Sequence, residues 1–204
     1  IGAGNVATHL AQALQQKGFH LSQIYSRTQE SAQALAQTLG CAWTTCLEQV
    51  DEHADLYIVS VKDAVLETVI SQLVHCNPDA LYLHTAGSMP MEVWKEKFKN
   101  YGVAYPMQTF SKQREVNFEE VPFFLEANSP ENLSLLHEIN GSLSPKVYEA
   151  SSEQRKYLHI AAVFACNFSN HMYALCQALL QAPQLPVVSM LPLIHETALK
   201  VHEL

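Results

Sequence analysis

With 204 residues, the chain is long enough for one sheet-based domain of ordinary size and part of a second with its own apolar core. Apolar residues make up 48% and charged residues 16%, and no stretch approaches the roughly 20 apolar residues that span a bilayer, so a soluble protein without a membrane segment is expected. A formal charge of −8 with scattered basic residues disfavours nucleic acid and leaves small molecules as partners. The five cysteines are an odd number without a CxxC pair, which suits free thiols in the cytoplasm. The ten histidines include no HxxxH or HExxH, and no metal site is expected.

In chain order, Gly2, Gly4 and Ala7 form GxGxxA, and Val6, Leu10, Ala13 and Leu14 then recur at helical spacing up to Gly18. The strand leading into this turn is expected to precede Ile1. Gln23 to Ser26 reads as a short strand, followed by a helix whose apolar face is Ala32, Leu35, Ala36 and Leu39 and which stops at Gly40. Asp55 to Val61 is a compact β-forming run, as in a parallel strand covered on both faces, with Asp63 placed to cap the next helix. Ala80 to His84 and Gly102 to Tyr105 predict two more strands, separated by a helix over Met91 to Phe98. A strand over Val121 to Glu126, a helix over Glu131 to Leu143 and a strand over Lys146 to Glu149 follow. This alternation predicts an α/β fold with a doubly wound parallel sheet.

From Ser151 the texture changes. A capping box of Ser151 and Gln154 opens about thirty residues without Gly or Pro, a helix of about 45 Å running to near Gln181. The expected organisation is a dinucleotide-binding Rossmann domain over 1–150 and a mostly α-helical domain over 151–204, incomplete at its end.

Chemistry concentrates at the glycine turn. Gly2, Ala3, Gly4, Asn5 and Val6 allow backbone N–H groups to approach a pyrophosphate, while the following helix points its positive end at the same charge. After the second strand, where an NAD site offers a carboxylate to the ribose, the chain reads Ser26, Arg27, Thr28. A guanidinium and two hydroxyls suit a ribose 2′-phosphate, so NADP is the expected cofactor. The alternative is a solvated Arg27 with Thr28 capping a helix.

GAGNVA, the SRT after the second strand, ADLYIVSVKD, HTAG, YPMQTF and RKYLHIAAVFACNF together resemble the NADP oxidoreductases that pair a Rossmann-like domain with a helical domain of unknown function. That family is similar to a wider group with 6-phosphogluconate dehydrogenase C-terminal-like domains, containing pyrroline-5-carboxylate reductase and the deazaflavin-dependent NADP oxidoreductases. The resemblance implies a pyrophosphate against Gly4 to Val6. It places the nicotinamide near Val61, Lys62 and the loop of His84, Thr85, Ala86 and Gly87. Relatives often read His-Pro where this chain has Tyr105-Pro106, so an imidazole role there lapses. The KxxxN of the hydroxyacid dehydrogenases is also missing; His159 and Asn167 stand inside an apolar run instead.

At about 100° per residue, Asn170 falls within about 20° of His159 and Asn167 within about 80°, with His159 and Asn167 about 12 Å apart along the axis, so the two are expected to flank a cleft. His159 as acid, Asn167 as substrate positioner and His84 as a second titratable group are the candidate catalytic residues. The alternative for each is a satisfied structural group. Lys62 reads as a cofactor or surface charge. The expected function is hydride transfer between NADP and a small carbonyl, imine or hydroxy acid; the alternative is a non-catalytic NADP sensor or assembly module. A helix apolar on more than one stripe (Ile160, Ala161, Val163, Phe164, Ala165, Phe168) adds the expectation of a homodimer.

Overall fold

The computed structural model describes residues 1–203. It divides into two compact units, Ile1–His159 and the residues from Ile160 onward. The division falls inside a helix, beyond the expected boundary at 150, because the first turns of that helix are bound to the sheet by a buried arginine described below.

In the first unit, α1 (Asn5–Gln16) leaves the glycine turn and buries Leu10 and Leu14. Next come β1 (Gln23–Tyr25), α2 (Gln29–Leu39) and β2 (Ala42–Thr44), with Gly40 in the left-handed conformation that ends α2. Then follow β3 (Leu56–Val59), α3 (Asp63–Gln72), β4 (Leu81–His84), β5 (Asn100–Pro106), β6 (Phe123–Ala127), α4 (Pro130–Gly141) and β7 (Val147–Glu149). β3, β4 and β5 run parallel, and every residue of β4 is buried, as the apolar run implied. One face of the sheet packs Tyr57, Val59 and Tyr82 on α3 and Trp94; the other packs Leu81, Leu83 and Leu125 on α1 and α4.

The sheet departs from the expected all-parallel winding at β6, which pairs antiparallel with β5, while β7 pairs parallel with β6. No crossover α-helix stands between β5 and β6, only a loop with a 3₁₀ turn at Phe118–Glu120, so the chain returns in the opposite direction. The expected helix over Met91 to Phe98 is also reduced to a 3₁₀ turn, Met91–Trp94. Trp94 is fully buried among Tyr82 and Phe98, and Glu96 takes a left-handed φ of 67°, so packing of the two rings overrides the helical period.

β1 and β2 form a separate two-stranded sheet. Ile1 and Gly2 bridge it to the larger one. Ser60 N–H donates to the Ile1 carbonyl at 2.8 Å on one side, and Gly2 N–H to the Tyr25 carbonyl at 2.8 Å on the other. Behind this bridge runs a slot of about 490 Å³ between β1 and β3, lined by Leu10, Leu14, Ile24, Leu56 and Ile58.

α5 (Ser152–Ala162) begins with the expected capping box: Ser151 N–H donates to Gln154 Oε1 at 2.9 Å and Gln154 N–H to Ser151 Oγ at 3.3 Å. The helix does not continue as one α-helix. Val163–Phe168 is π-helical, followed by α6 (Ser169–Gln181), a 3₁₀ turn and α7 (Leu191–Leu199). The wider π turn breaks the uniform 100° per residue on which the angular placing of Asn167 and Asn170 rested. Among the described residues no helix is long and apolar enough to cross a membrane.

Candidate cofactor and active site

Gly2 has φ +109°, and a Cβ there would stand 2.2 Å from the Ser60 carbonyl oxygen, so only glycine lets the turn close on the end of β3. Ala3 is buried behind it. Gly4 is exposed, and an added Cβ would meet nothing within 4 Å. As N-cap of α1 it offers no side chain, and the first turn holds no acidic residue. The first helical bond runs from Thr8 N–H to Gly4 O at 3.0 Å, which leaves the N–H groups of Asn5 and Val6 ahead of it. The Asn5 amide donates to the Phe110 carbonyl at 2.9 Å, and the His9 ring meets the Ser111 carbonyl at 2.9 Å, so α1 also holds the loop after β5.

Beyond β1, Ser26 is half-buried, and Arg27 and Thr28 are exposed. Thr28 is the N-cap of α2 but its hydroxyl makes no capping bond. Arg27 enters no ion pair among the described residues. Val61 and Lys62 follow β3, Lys62 exposed at the N-cap of α3. Asp63, the expected cap, is the first residue of α3 and accepts a hydrogen bond from the Ser88 hydroxyl.

The strand ends are linked in a line. Thr85 Oγ1 donates to Ser60 Oγ at 3.0 Å, joining the loop after β4 to the residue that Gly2 touches. Ala86 is half-buried and Gly87 buried. A Cβ on Gly87 would stand 2.6 Å from Cζ of Tyr105 and 3.0 Å from Nδ1 of His159. The Tyr105 hydroxyl lies 3.3 Å from His159 Nδ1, the two rings meeting edge to face.

His84, expected as a second titratable group with a structural role as the alternative, is held by the backbone on both sides. Its ring is fully buried, Nδ1 accepts from the Ala86 N–H at 3.2 Å, and Nε2 therefore carries the proton shared with the Pro90 carbonyl at 3.4 Å. Burial first, and the Arg155 charge second, push its pKa down to about 3. A neutral imidazole with both nitrogens held by backbone shapes the loop. Asn167 is exposed in the π segment of the second unit.

Two residues that the sequence reading passed over do much of the positioning. Arg155 is fully buried, with Nη1 donating to Glu126 Oε2 at 2.6 Å and Nη2 to the Met89 carbonyl at 2.8 Å. Glu126 also accepts from Ser152, from N–H at 3.0 Å and from Oγ at 2.7 Å. This knot fastens the start of α5 to β6 and to the loop after β4. His159 lies four residues beyond Arg155, one turn along the same face, which sets it against Gly87 and Tyr105. The available signal was a lone arginine opening RKYLHIAAVFACNF and a carboxylate inside a strand.

Residues 1–86 match the family described as NADP oxidoreductase coenzyme F420-dependent, and residues 121–204 match a domain of unknown function, DUF2520. The solved structure of a putative NADP oxidoreductase from Bacteroides fragilis is 57% identical, with a TM-score of 0.95 over 100% of this chain and 79% of that one. The chain belongs to this family of NADP oxidoreductases. At the level of fold alone it is similar to an imine reductase from Myxococcus stipitatus in complex with NADP+ (16% identity, TM-score 0.74, 99% and 72% covered). The same holds for a pyrroline-5-carboxylate reductase from Coxiella burnetii (19%, TM-score 0.70, 99% and 76% covered). No protein of curated function matches the sequence.

NADP is the family's cofactor, and the residues of this chain fit it. The open space at Gly4, the uncapped start of α1 and the closure of Gly2 on Ser60 form a cradle that side chains would fill. Arg27 and the Thr28 hydroxyl, which makes no capping bond, stand beyond β1, the position from which a cation and hydroxyls can meet a 2′-phosphate.

Proposed function

We propose that the protein interconverts a small carbonyl, imine or hydroxy acid with its reduced or oxidised partner, using NADP, and that His159 handles the proton. When bound, the nicotinamide gives or accepts the hydride. The chain's own part is to seat the pyrophosphate at Gly4 to Val6, to grip the 2′-phosphate with Arg27, Ser26 and Thr28, and to present an imidazole beside the His84 to Gly87 loop. The observation that carries this reading is the placing of His159 against Gly87, in line with Thr85, Ser60 and the glycine turn. Ligands of open α/β sheets bind beyond these carboxyl strand ends, and histidine suits proton transfer near neutral pH.

The test is a screen of small carbonyl and imine compounds that follows NADPH absorbance with the full-length protein. His159→Gln is expected to lower turnover roughly 10²–10⁴-fold while NADPH binding is kept. Tight NADPH binding with no turnover of any compound would favour the sensor reading, and a fully active His159→Gln would remove this residue from the chemistry. A homodimer is proposed with it, on grounds given in the Discussion.

A further inference from the structure

Tyr105 was set aside in the sequence because it replaces an imidazole, yet the structure brings its hydroxyl to the one ring nitrogen of His159 that has a partner. Nδ1 faces the phenol oxygen at 3.3 Å, and Nε2 has no hydrogen-bond partner among the described residues. The contact is built by the backbone. Gly87 is buried, and any side chain there would collide with the Tyr105 ring (2.6 and 2.9 Å) and with Nδ1 itself (3.0 Å). β5 fixes Tyr105 from below through its pairing with Phe124 of β6, and the Arg155 knot fixes α5 one turn before His159. Three separate elements, the loop after β4, β5 and α5, thus converge on one hydrogen bond.

We propose that Tyr105 and His159 act as one proton-handling pair, in which Tyr105 is the positioning residue that holds Nδ1 and leaves Nε2 as the atom that gives or takes the proton of the reaction. A hydroxyl is suited to this because it both donates and accepts. When the imidazole is charged, Nδ1–H donates to the phenol oxygen. When Nδ1 is bare, the phenol O–H donates to it. The bond therefore survives either protonation state without displacement of heavy atoms. In the reducing direction the charged ring is the acid: its Nε2–H bond breaks and the proton joins the oxygen or nitrogen of the substrate, as the hydride of the reduced nicotinamide joins the carbon, which leaves a neutral ring whose Nδ1–H still donates to Tyr105; the oxidising direction reverses both transfers. This inference rests on the oxidoreductase reading given above.

The test needs no substrate. Ring-nitrogen NMR of histidine-labelled protein above pH 8, where an ordinary imidazole is neutral, reports how the proton divides between Nδ1 and Nε2 of His159, assigned with His159→Gln. Tyr105→Phe removes the oxygen, whereas Gly87→Ala keeps it but drives a methyl into the ring. Both are expected to shift the His159 tautomer balance in the same sense. Gly141→Ala, whose added methyl meets nothing within 4 Å, is expected to leave it alone. Ring nitrogens indifferent to both Tyr105→Phe and Gly87→Ala would overturn the pair. NADPH binding by the same proteins separates the two ideas. Wild-type protein that fails to bind NADPH overturns the oxidoreductase reading and the pair's role with it, even where the tautomer responds. Unchanged NADPH binding in Tyr105→Phe, with a shifted tautomer, supports the pair. A tenfold or greater loss of NADPH affinity in Tyr105→Phe would instead make Tyr105 part of the cofactor seat and overturn the assignment.

Discussion

Burial and the Arg155 guanidinium hold His84 neutral, with its pKa lowered from 6.5 to about 3. Because the folded value lies below the unfolded one, the unfolded chain binds the extra proton first. Stability from this residue is complete above about pH 6.5 and is lost as pH falls towards about 3. Within that window each pH unit costs about 1.4 kcal/mol. Denaturant melts at pH 7 and pH 5 are expected to show a steeper acid loss for wild type than for His84→Gln; equal slopes would contradict the buried neutral ring. Arg27 carries a second expectation. A charge-assisted contact of the proposed kind with a 2′-phosphate would be worth about 1.5–3 kcal/mol, so Arg27→Ala should weaken NADP binding by that amount in calorimetry while NAD is nearly unaffected. Equal losses for both nucleotides would remove Arg27 from cofactor choice. The glycine turn itself was legible in the sequence because its residues are contiguous and Gly2 has a local backbone role. The grouping of Tyr105, Gly87 and His159 was not, because residues from three elements meet there only after the sheet is assembled, and nothing in the spacing of His84 announced that both its nitrogens would be occupied.

The early elements with a clear period, α1, α2 and β3, were read correctly, whereas the long helix from Ser151 hid its π segment. α1 and α2 carry an apolar face with a glycine at or just past the end, and the run that becomes β3 had only one plausible form. Direction was harder. The reversal at β6 depends on the absence of an α-helix between β5 and β6, and a loop with a 3₁₀ turn leaves no periodic trace. The Met91 to Phe98 segment was misread for a related reason: its aromatic residues are spaced like a helix face but serve a cluster on Tyr82. The junction of α5 with the sheet is the element whose energetics are easiest to test. Arg155 is fully buried against a Glu126 side chain only 17% exposed. Removing one partner of such a pair leaves an uncompensated charge and costs about 3–5 kcal/mol. Arg155→Ala should therefore lower the unfolding midpoint followed by Trp94 fluorescence. The double variant Arg155→Met with Glu126→Leu should recover part of the loss. A single variant as stable as wild type would show that the knot is solvated.

The molecule as a whole is uneven in its burial. The first unit has a continuous core on both faces of its sheet, whereas no residue of 160–203 is buried, and Phe164, Leu179 and Val188 are 62%, 76% and 64% exposed. Apolar surface on this scale needs a cover, and a second copy of the same unit is the proposed one. Light scattering of the full-length protein at micromolar concentration is expected to give the mass of a dimer, and a monomer would count against it. The π segment Val163–Phe168, which contains the stacked rings of Phe164 and Phe168, bears on how such a surface changes over descent. A π turn holds about one residue more than an α turn, so deletion of a single residue there lets the backbone relax into a plain α-helix with its ladder of hydrogen bonds intact. Because the wider turn is what absorbs the extra residue, the side chains after Phe168 then keep nearly the same facing relative to those before Val163. One codon gained or lost at this point is taken up by the turn itself, so the faces of α5 and α6 outlast the change.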